Sequence, residues 1–349
     1  MSSATKTSRT VIDLNKILNA SDVGEIKRMQ TEFETNGWCF VILSNELIPN
    51  PTLTDELTRF FRDKHVKDSY SQPSKIYGYS NVHHKEGLKL LTGSQFSKLA
   101  HKGLVPRELV HPLNYLSQVF DAVSKRLIEL LDQHSVFQQQ PSLSSLIERA
   151  DLPMKEEHFG MLDIVQYFNK KTGFTPPQNG QSTEEVNCVP HYDPGLFSIS
   201  ILSTFEGLQL KDLTTDQWVD GPLEPNMGVI WLGEAAARVT DNRLKPGIHQ
   251  VLYPRKAKTR LTIWYEVCTI EQIQNLSNEK QNERMAAGNV TFPNLPGSAP
   301  IAVLPGETKL DFLRRVEIGR GLSMSKTGRV HYDIQEHAIS YPKSPAENK

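Results

Sequence analysis

Six short segments between Met161 and Val267 limit what this chain can build. Met161–Phe168, Leu196–Leu202, Gly207–Leu210, Met227–Leu232, His249–Tyr253 and Arg260–Val267 each run four to eight residues and are rich in valine, isoleucine and aromatics. Turn residues separate them. Short strands at this spacing predict a sandwich or jelly roll.

Outside that stretch the pattern is largely helical. Residues 1–10 are polar and expected to be disordered. Residues 11–160 are expected to form an N-terminal region of helices and strands packed on the barrel. Val11-Ile12-Asp13-Leu14 reads as a short strand. Asp22 and Glu25 have capping-box spacing, Val23, Ile26, Met29 and Phe33 form an apolar stripe, and Gly37 stops the helix. Trp38–Leu43 reads as a buried strand and Leu53–Phe61 as a helix. Residues 71–111 read as loop-rich, and a long helix is expected from near Pro112, burying Leu113, Leu116, Phe120, Val123, Leu127 and Leu131. Residues 135–160 are irregular, with glutamines at 138–140. After the strand core of 161–267, residues 268–349 suggest a helix over 270–287, a proline-rich link over 292–305, a helix near Lys309–Val316 and a polar tail. No internal repeat is present. The expected fold is mixed α+β with a mainly β core. It is a double-stranded β-helix (jelly roll) flanked by N- and C-terminal helices, in one compact domain.

Composition narrows the function classes. The 349 residues carry a net charge of -1, without the basic surplus of a nucleic-acid binder. No apolar run is long enough to span a membrane, and the N-terminus lacks a secretory pattern. Cys39, Cys188 and Cys268 are odd in number and scattered, which fits a reducing compartment and no disulfide framework. The Asn-x-Ser/Thr triplets at Asn19, Asn275 and Asn289 therefore carry little weight. A cytoplasmic protein is expected, with no nucleic-acid or membrane partner and a monomer favoured.

The chemistry concentrates at His191-Tyr192-Asp193 and at His249. Residues two apart on a strand share a face, so His191 and Asp193 can point inward together while Tyr192 points away. His249 opens a later strand and would complete the set. Two imidazoles and one carboxylate on one face suit iron(II) and leave coordination positions open. An H-x-D triplet is weak alone, since His331-Tyr332-Asp333 repeats it. That second copy has no strand after it and no later histidine at a suitable distance, so it reads as a solvated segment. Arg260 and Thr262 also lie two apart. A guanidinium grips a carboxylate through two N–H groups, and a hydroxyl adds a third bond. Tyr167 could reach the same carboxylate. Taken singly, Arg260 could be a surface cation and Tyr167 a core aromatic. A buried arginine facing a metal cavity without an anion would be costly, so the pair favours a bound dicarboxylate.

Several motifs occur in a characteristic order. They are Gln166-Tyr167-Phe168, His191-Tyr192-Asp193, Gly207-Leu208-Gln209, Trp218-Val219, Thr240-Asp241-Asn242, His249-Gln250-Val251 and Arg260-Leu261-Thr262. Together with the N-terminal VIDL, Asn36-Gly37-Trp38 and Tyr77-Gly78-Tyr79, they resemble the iron(II)/2-oxoglutarate-dependent oxygenases, specifically the isopenicillin N synthase-like group. The resemblance spans most of residues 11–267. It implies that His191, Asp193 and His249 ligate iron and that Arg260, Thr262 and Tyr167 hold 2-oxoglutarate. Thr262 stands where serine is usual, Glu234 where aspartate is common, and Gln250 where arginine is common. The resemblance further implies O2 as second co-substrate, ascorbate as an activator, and release of succinate and CO2. The substrate would be a small molecule of specialised metabolism, attacked at an unactivated C–H to give hydroxylation, desaturation or ring closure.

Trp264, two beyond Thr262, Phe197, four beyond Asp193, and Arg238, Tyr79, Asp163 and Val165 are the residues proposed to meet the substrate, although packing alone would also account for each. Two other readings stay open. One is an iron oxidase of the same fold that needs no 2-oxoglutarate; the other is a small-molecule-binding relative without turnover.

Overall fold

A computed structural model describes residues 10–70, 78–82, 85–134, 143–144, 160–168, 186–193, 195–240, 243–253, 259–268 and 330–331. The N-terminal part runs β1 (Val11–Asp13), α1 (Leu14–Ala20), α2 (Val23–Thr35), β2 (Trp38–Ile42), α3 (Pro51–Arg62), α4 (Lys64–Ser69), β3 (Gly78–Val82), β4 (Lys85–Leu91), α5 (Ser94–His101) and α6 (Arg107–His134). The strand-rich part follows with β5 (Gly160–Phe168), β6 (Val186–Tyr192), β7 (Phe197–Ser203), β8 (Leu208–Asp212) and β9 (Gln217–Asp220). It continues with β10 (Met227–Leu232), α7 (Glu234–Val239), β11 (His249–Leu252), β12 (Thr259–Val267) and β13 (Val330–His331).

These strands make two sheets. The larger has the order β1-β2-β10-β7-β12-β5-β4-β3 and the smaller β13-β6-β11-β8-β9. The result is a mixed α+β jelly roll. Period-two alternation divides the large sheet between two environments. Leu261, Ile263, Tyr265 and Val267 of β12, Leu162 and Ile164 of β5, and Phe197, Ile199 and Ile201 of β7 join one core cluster with the helices. Helix α6 gives Leu113, Leu116, Phe120, Val123, Leu127 and Leu131 to that cluster, all six from its expected stripe. The opposite face carries Trp38, Phe40, Val229, Trp231 and Trp264, which pack on Leu208, Leu210 and Val219 of the small sheet. Trp38 Nε1 ties the sheets together by donating to the carbonyl of Lys211 at 2.8 Å.

The six expected strands form with boundaries within a residue or two, but the N-terminal half differs in detail. Residues 71–111, expected to be loop-rich, include the antiparallel pair β3–β4 and helix α5. The pattern was hidden because β4 alternates apolar Leu88 and Leu90 with Lys85, Gly87 and Lys89, a strand face built of charges and a glycine. Helix α6 starts at Arg107, five residues before Pro112. Helices α1, α4 and α7 and strand β9 were not anticipated, and β6 was expected only where His191 and Asp193 were placed on a strand. Asp22 caps α2 by accepting from the N–H groups of Gly24 and Glu25, but Glu25 reaches to the N–H of Asp13 instead of back to the cap. Val23, placed on the apolar stripe, is 42% exposed at the first helical position. Of the segment 1–10 expected to be disordered, residues 1–9 lie outside the described residues, as do the helices expected over 270–287 and 309–316.

The helix layer meets the large sheet at one buried carboxyl. Asp121 of α6 accepts from Tyr265 Oη at 2.5 Å and from Thr92 Oγ1 at 2.8 Å, while Phe120 stacks on the Tyr265 ring at 4.8 Å. Burial lifts the Asp121 carboxyl to about 6, against the pull of those two donors and Lys125. The folded state thus favours the protonated form. Its stabilisation is complete below about pH 4, the unfolded value, and is lost as pH rises through 6. Asp121→Asn, which keeps an accepting oxygen, is expected to flatten the stability profile between pH 4 and 7. At neutral pH it should be more stable by up to about 3 kcal/mol, read by denaturant unfolding at a series of pH values.

Candidate metal and co-substrate site

Strand pairing removes the sequence distance between the two histidines. In the antiparallel β6–β11 pair His191 stands directly opposite His249. Residues facing each other this way have Cβ atoms about 5 Å apart, and here the two imidazole centroids are 4.2 Å apart. Asp193 follows two residues on. One ligand atom from each of His191, Asp193 and His249 lies within 4.8 Å of the others, and all three residues are buried. Asp193 Oδ1 is 3.8 Å from His191 Nε2 and 4.0 Å from His249 Nε2. This is the spacing of groups that converge on one cation.

The remaining atoms of these side chains are held from behind, as metal ligands generally are. Asp193 Oδ2 accepts from Ser198 Oγ and from Trp231 Nε1, both at 2.8 Å. His249 Nδ1 lies 3.0 Å from the carbonyl of Gly247, which can only accept. Nδ1 therefore carries the proton, and Nε2 presents its lone pair toward Asp193 Oδ1. His191 Nδ1 lies 3.8 Å from Cys188 Sγ. Those two residues are three apart yet meet because the register slips between Cys188 and His191, where β6 uses one residue more than β11. The chain just after Asp193 is tightly packed as well. Glu266 Oε1 accepts from Gly195 N at 2.9 Å, and a Cβ on Gly233 would lie 2.0 Å from the Gly195 carbonyl oxygen.

A partly open cavity adjoins the cluster. It is lined by His191 and His249, by Tyr167, Arg260, Thr262 and Trp264, and by Ser200, Leu208, Trp231 and Val251. Arg260 is 1% exposed. Its Nε donates to Ser203 Oγ at 2.8 Å and to the Phe205 carbonyl at 3.1 Å, and its guanidinium carbon lies 5.3 Å from the Tyr167 ring centre. One terminal nitrogen, Nη1, has no hydrogen-bond partner among the described residues. Burial lowers the Arg260 pKa to about 10, so the group stays cationic at neutral pH. Thr262 Oγ1 donates to the Leu202 carbonyl at 2.8 Å and must turn to serve a ligand.

The other candidates separate. Trp264 lines the cavity, and Val165 packs with Tyr167 and Val251 at its edge. Asp163 pairs with Lys89 at 2.8 Å, in register with Trp264. Phe197 lies in the helix-side core, because β6 ends at Tyr192 and the even spacing from Asp193 does not carry over to β7. Tyr79 is also on that side, donating to Glu86 at 2.6 Å. Arg238 falls on α7, with its side chain outside the described residues. The second triplet departs from expectation. Val330–His331 forms a two-residue strand on the edge of β6, with His331 paired to His191 and Val330 to Tyr192. Ser198, Ser200, Trp231 and Gly247 were missed. Serines alternating with Phe197, Ile199 and Ile201 were a readable signal of a polar inner face; nothing in the sequence marked Trp231.

A family model described as the 2OG-Fe(II) oxygenase superfamily matches residues 163–269, the interval that holds every cluster residue. That stretch of the chain is similar to the 2OG-Fe(II) oxygenase superfamily. A gibberellin 2-beta-dioxygenase of Phaseolus coccineus is 26% identical over 236 residues, 63% of this chain and 65% of that protein, so the match spans slightly under two thirds of the relative. Among solved structures, the rice dioxygenase for auxin oxidation superposes with a TM-score of 0.55 at 15% identity, covering 74% of this chain and 83% of that one. The Arabidopsis thaliana dioxygenase for auxin oxidation 1, in its 2-oxoglutarate binary complex, gives 0.56 at 16% identity, covering 75% and 92%. At these identities the structures share the fold.

Iron(II) and 2-oxoglutarate are the metal and co-substrate in the superfamily's name, and this site fits both. The His-Asp-His donors suit the first, and the incompletely bonded, buried Arg260 suits an anionic second. Replacing His191 and Asp193 together by alanine is expected to abolish binding of one Zn(II) or Co(II) per chain, read by calorimetry, with the circular dichroism of the fold retained. His331→Ala should leave that binding unchanged.

Proposed function

We propose that this protein is an iron(II)- and 2-oxoglutarate-dependent dioxygenase that oxidises an unactivated C–H of a small molecule. One observation carries the reading: Arg260, buried and charged with no hydrogen-bond partner on Nη1 among the described residues, lines the same cavity as His191 and His249 of the metal-ligating cluster. An isolated charge is expensive to bury, so a site that keeps one is built for an anion that arrives later.

In this reading His191, Asp193 and His249 hold iron(II), with Asp193 offering one oxygen because Ser198 and Trp231 occupy the other. Bound iron supplies the activation of O2, coupled to decarboxylation of 2-oxoglutarate to succinate and CO2. Arg260 holds the far carboxylate of 2-oxoglutarate, with the Thr262 hydroxyl and Tyr167 beside it. Leu208, Val251, Trp231 and Trp264 keep water from the reacting centre. Trp264, Val165 and Asp163 lie on the face where a substrate would rest. Hydroxylation, desaturation and ring closure are all compatible with this arrangement, and ascorbate is the expected activator. The relatives named for gibberellin and auxin oxidation support a small-molecule substrate, and specialised metabolism is the setting proposed for it. No described helix is long and apolar enough to cross a membrane. The working assignment is a cytoplasmic monomer without nucleic-acid partners.

Succinate release from 2-oxoglutarate, dependent on iron(II) and O2, tests the proposal. Oxygen uptake without succinate would favour the 2-oxoglutarate-independent oxidase instead. Arg260→Met removes a charge-assisted pair and is expected to raise the KM for 2-oxoglutarate about 10- to 100-fold. The rise in melting temperature that 2-oxoglutarate gives the Zn(II)-loaded protein should disappear in the same variant.

A further inference from the structure

Trp231 touches the site at more points than any role as a cavity wall requires. Its Nε1 donates to Asp193 Oδ2 at 2.8 Å. Its ring lies against His249, with centroids 4.6 Å apart and planes tilted by 42°. Its own backbone and Cβ press on Gly247, where an added Cβ would come within 2.5 Å of Trp231 Cβ. Gly247 in turn supplies the carbonyl that fixes the His249 tautomer. One side chain thus engages one oxygen of Asp193 and the ring face of His249. Strand β10 holds it firmly, paired through Trp231 to Trp38 on one side and to Ser198 on the other.

We infer that Trp231 is a positioning residue that makes Asp193 a one-oxygen ligand and orients His249. The inference rests on the metal reading above. A carboxylate can bind a cation through one oxygen or through both, and the second mode consumes a coordination position. Two donors on Oδ2 disfavour that mode, which leaves the position for an incoming ligand. Ser198 is the other donor, and it also pairs through its backbone with Trp231. Removing the indole N–H frees a lone pair on Oδ2 and allows the carboxylate to turn.

The test is Trp231→Phe, which keeps a ring against His249 and loses only the donor. Co(II) is expected to bind about tenfold more weakly, with a changed visible absorption spectrum and a melting temperature close to that of the unaltered protein. Unchanged Co(II) affinity and spectrum would overturn the inference. A second measurement needs no variant at Trp231. The chain has four tryptophans, so four indole N–H resonances are expected from the unaltered protein. Assignment uses single Trp→Phe changes at Trp38, Trp218 and Trp264. The Trp231 resonance should move when Zn(II) is added; one that stays still while Zn(II) binds overturns the inference alone. Failure of the unaltered protein to bind either ion would remove the metal reading, and this inference with it.

Discussion

The pairing of β6 with β11, with His191 opposite His249, is the interaction on which everything else in the site depends. The two strands lie far apart in the chain, and only their register brings the imidazole centroids to 4.2 Å. A slip of one residue would turn either histidine to the far face of the sheet. Several features hold the register. His249 also pairs with Leu210 of β8, the extra residue in β6 absorbs the mismatch between Cys188 and His191, and Gly195, just after Asp193, packs against Glu266 of β12 and against Gly233 at the end of β10. The candidate metal site is therefore a property of the sheet.

Buried charge follows a rule in this molecule. Lys89 is countered by Asp163, Glu86 receives Lys67, Tyr79 and Gln166, and Asp121 is held by Tyr265 and Thr92 in an environment that favours its protonated form. Arg260 departs from it, meeting a hydroxyl, a carbonyl and an aromatic face but no described carboxylate. Set beside Lys89 and Glu86, each paired with an opposite charge, Arg260 reads as half of a contact completed by a ligand.

Much of the core was legible because strands of a two-sided sheet keep strict alternation. The spacing of Arg260, Thr262 and Trp264 placed all three on the cavity side, and the spacing of His191 and Asp193 placed both in the cluster. Parity failed wherever a strand was interrupted. Counting from Asp193 to Phe197 crossed a break between β6 and β7 and reached the wrong face. Charged inner faces also escaped notice, since Lys85, Gly87 and Lys89 do not look like a strand until Asp163, Val165 and Tyr167 are set beside them. The supporting contacts were least legible. Trp231 lies 38 residues from Asp193, and its role is visible only through tertiary geometry. His331 shows the converse, since a repeated triplet carried no hint that its backbone would pair with the first.

The most direct test is crystallographic: crystals grown anaerobically with iron(II) and 2-oxoglutarate, examined by anomalous scattering at the iron edge. The account predicts one strong peak bounded by His191 Nε2, His249 Nε2 and Asp193 Oδ1, with a carboxylate of 2-oxoglutarate seated on Arg260. A peak elsewhere, or iron at the triad with Arg260 still unengaged, would contradict it.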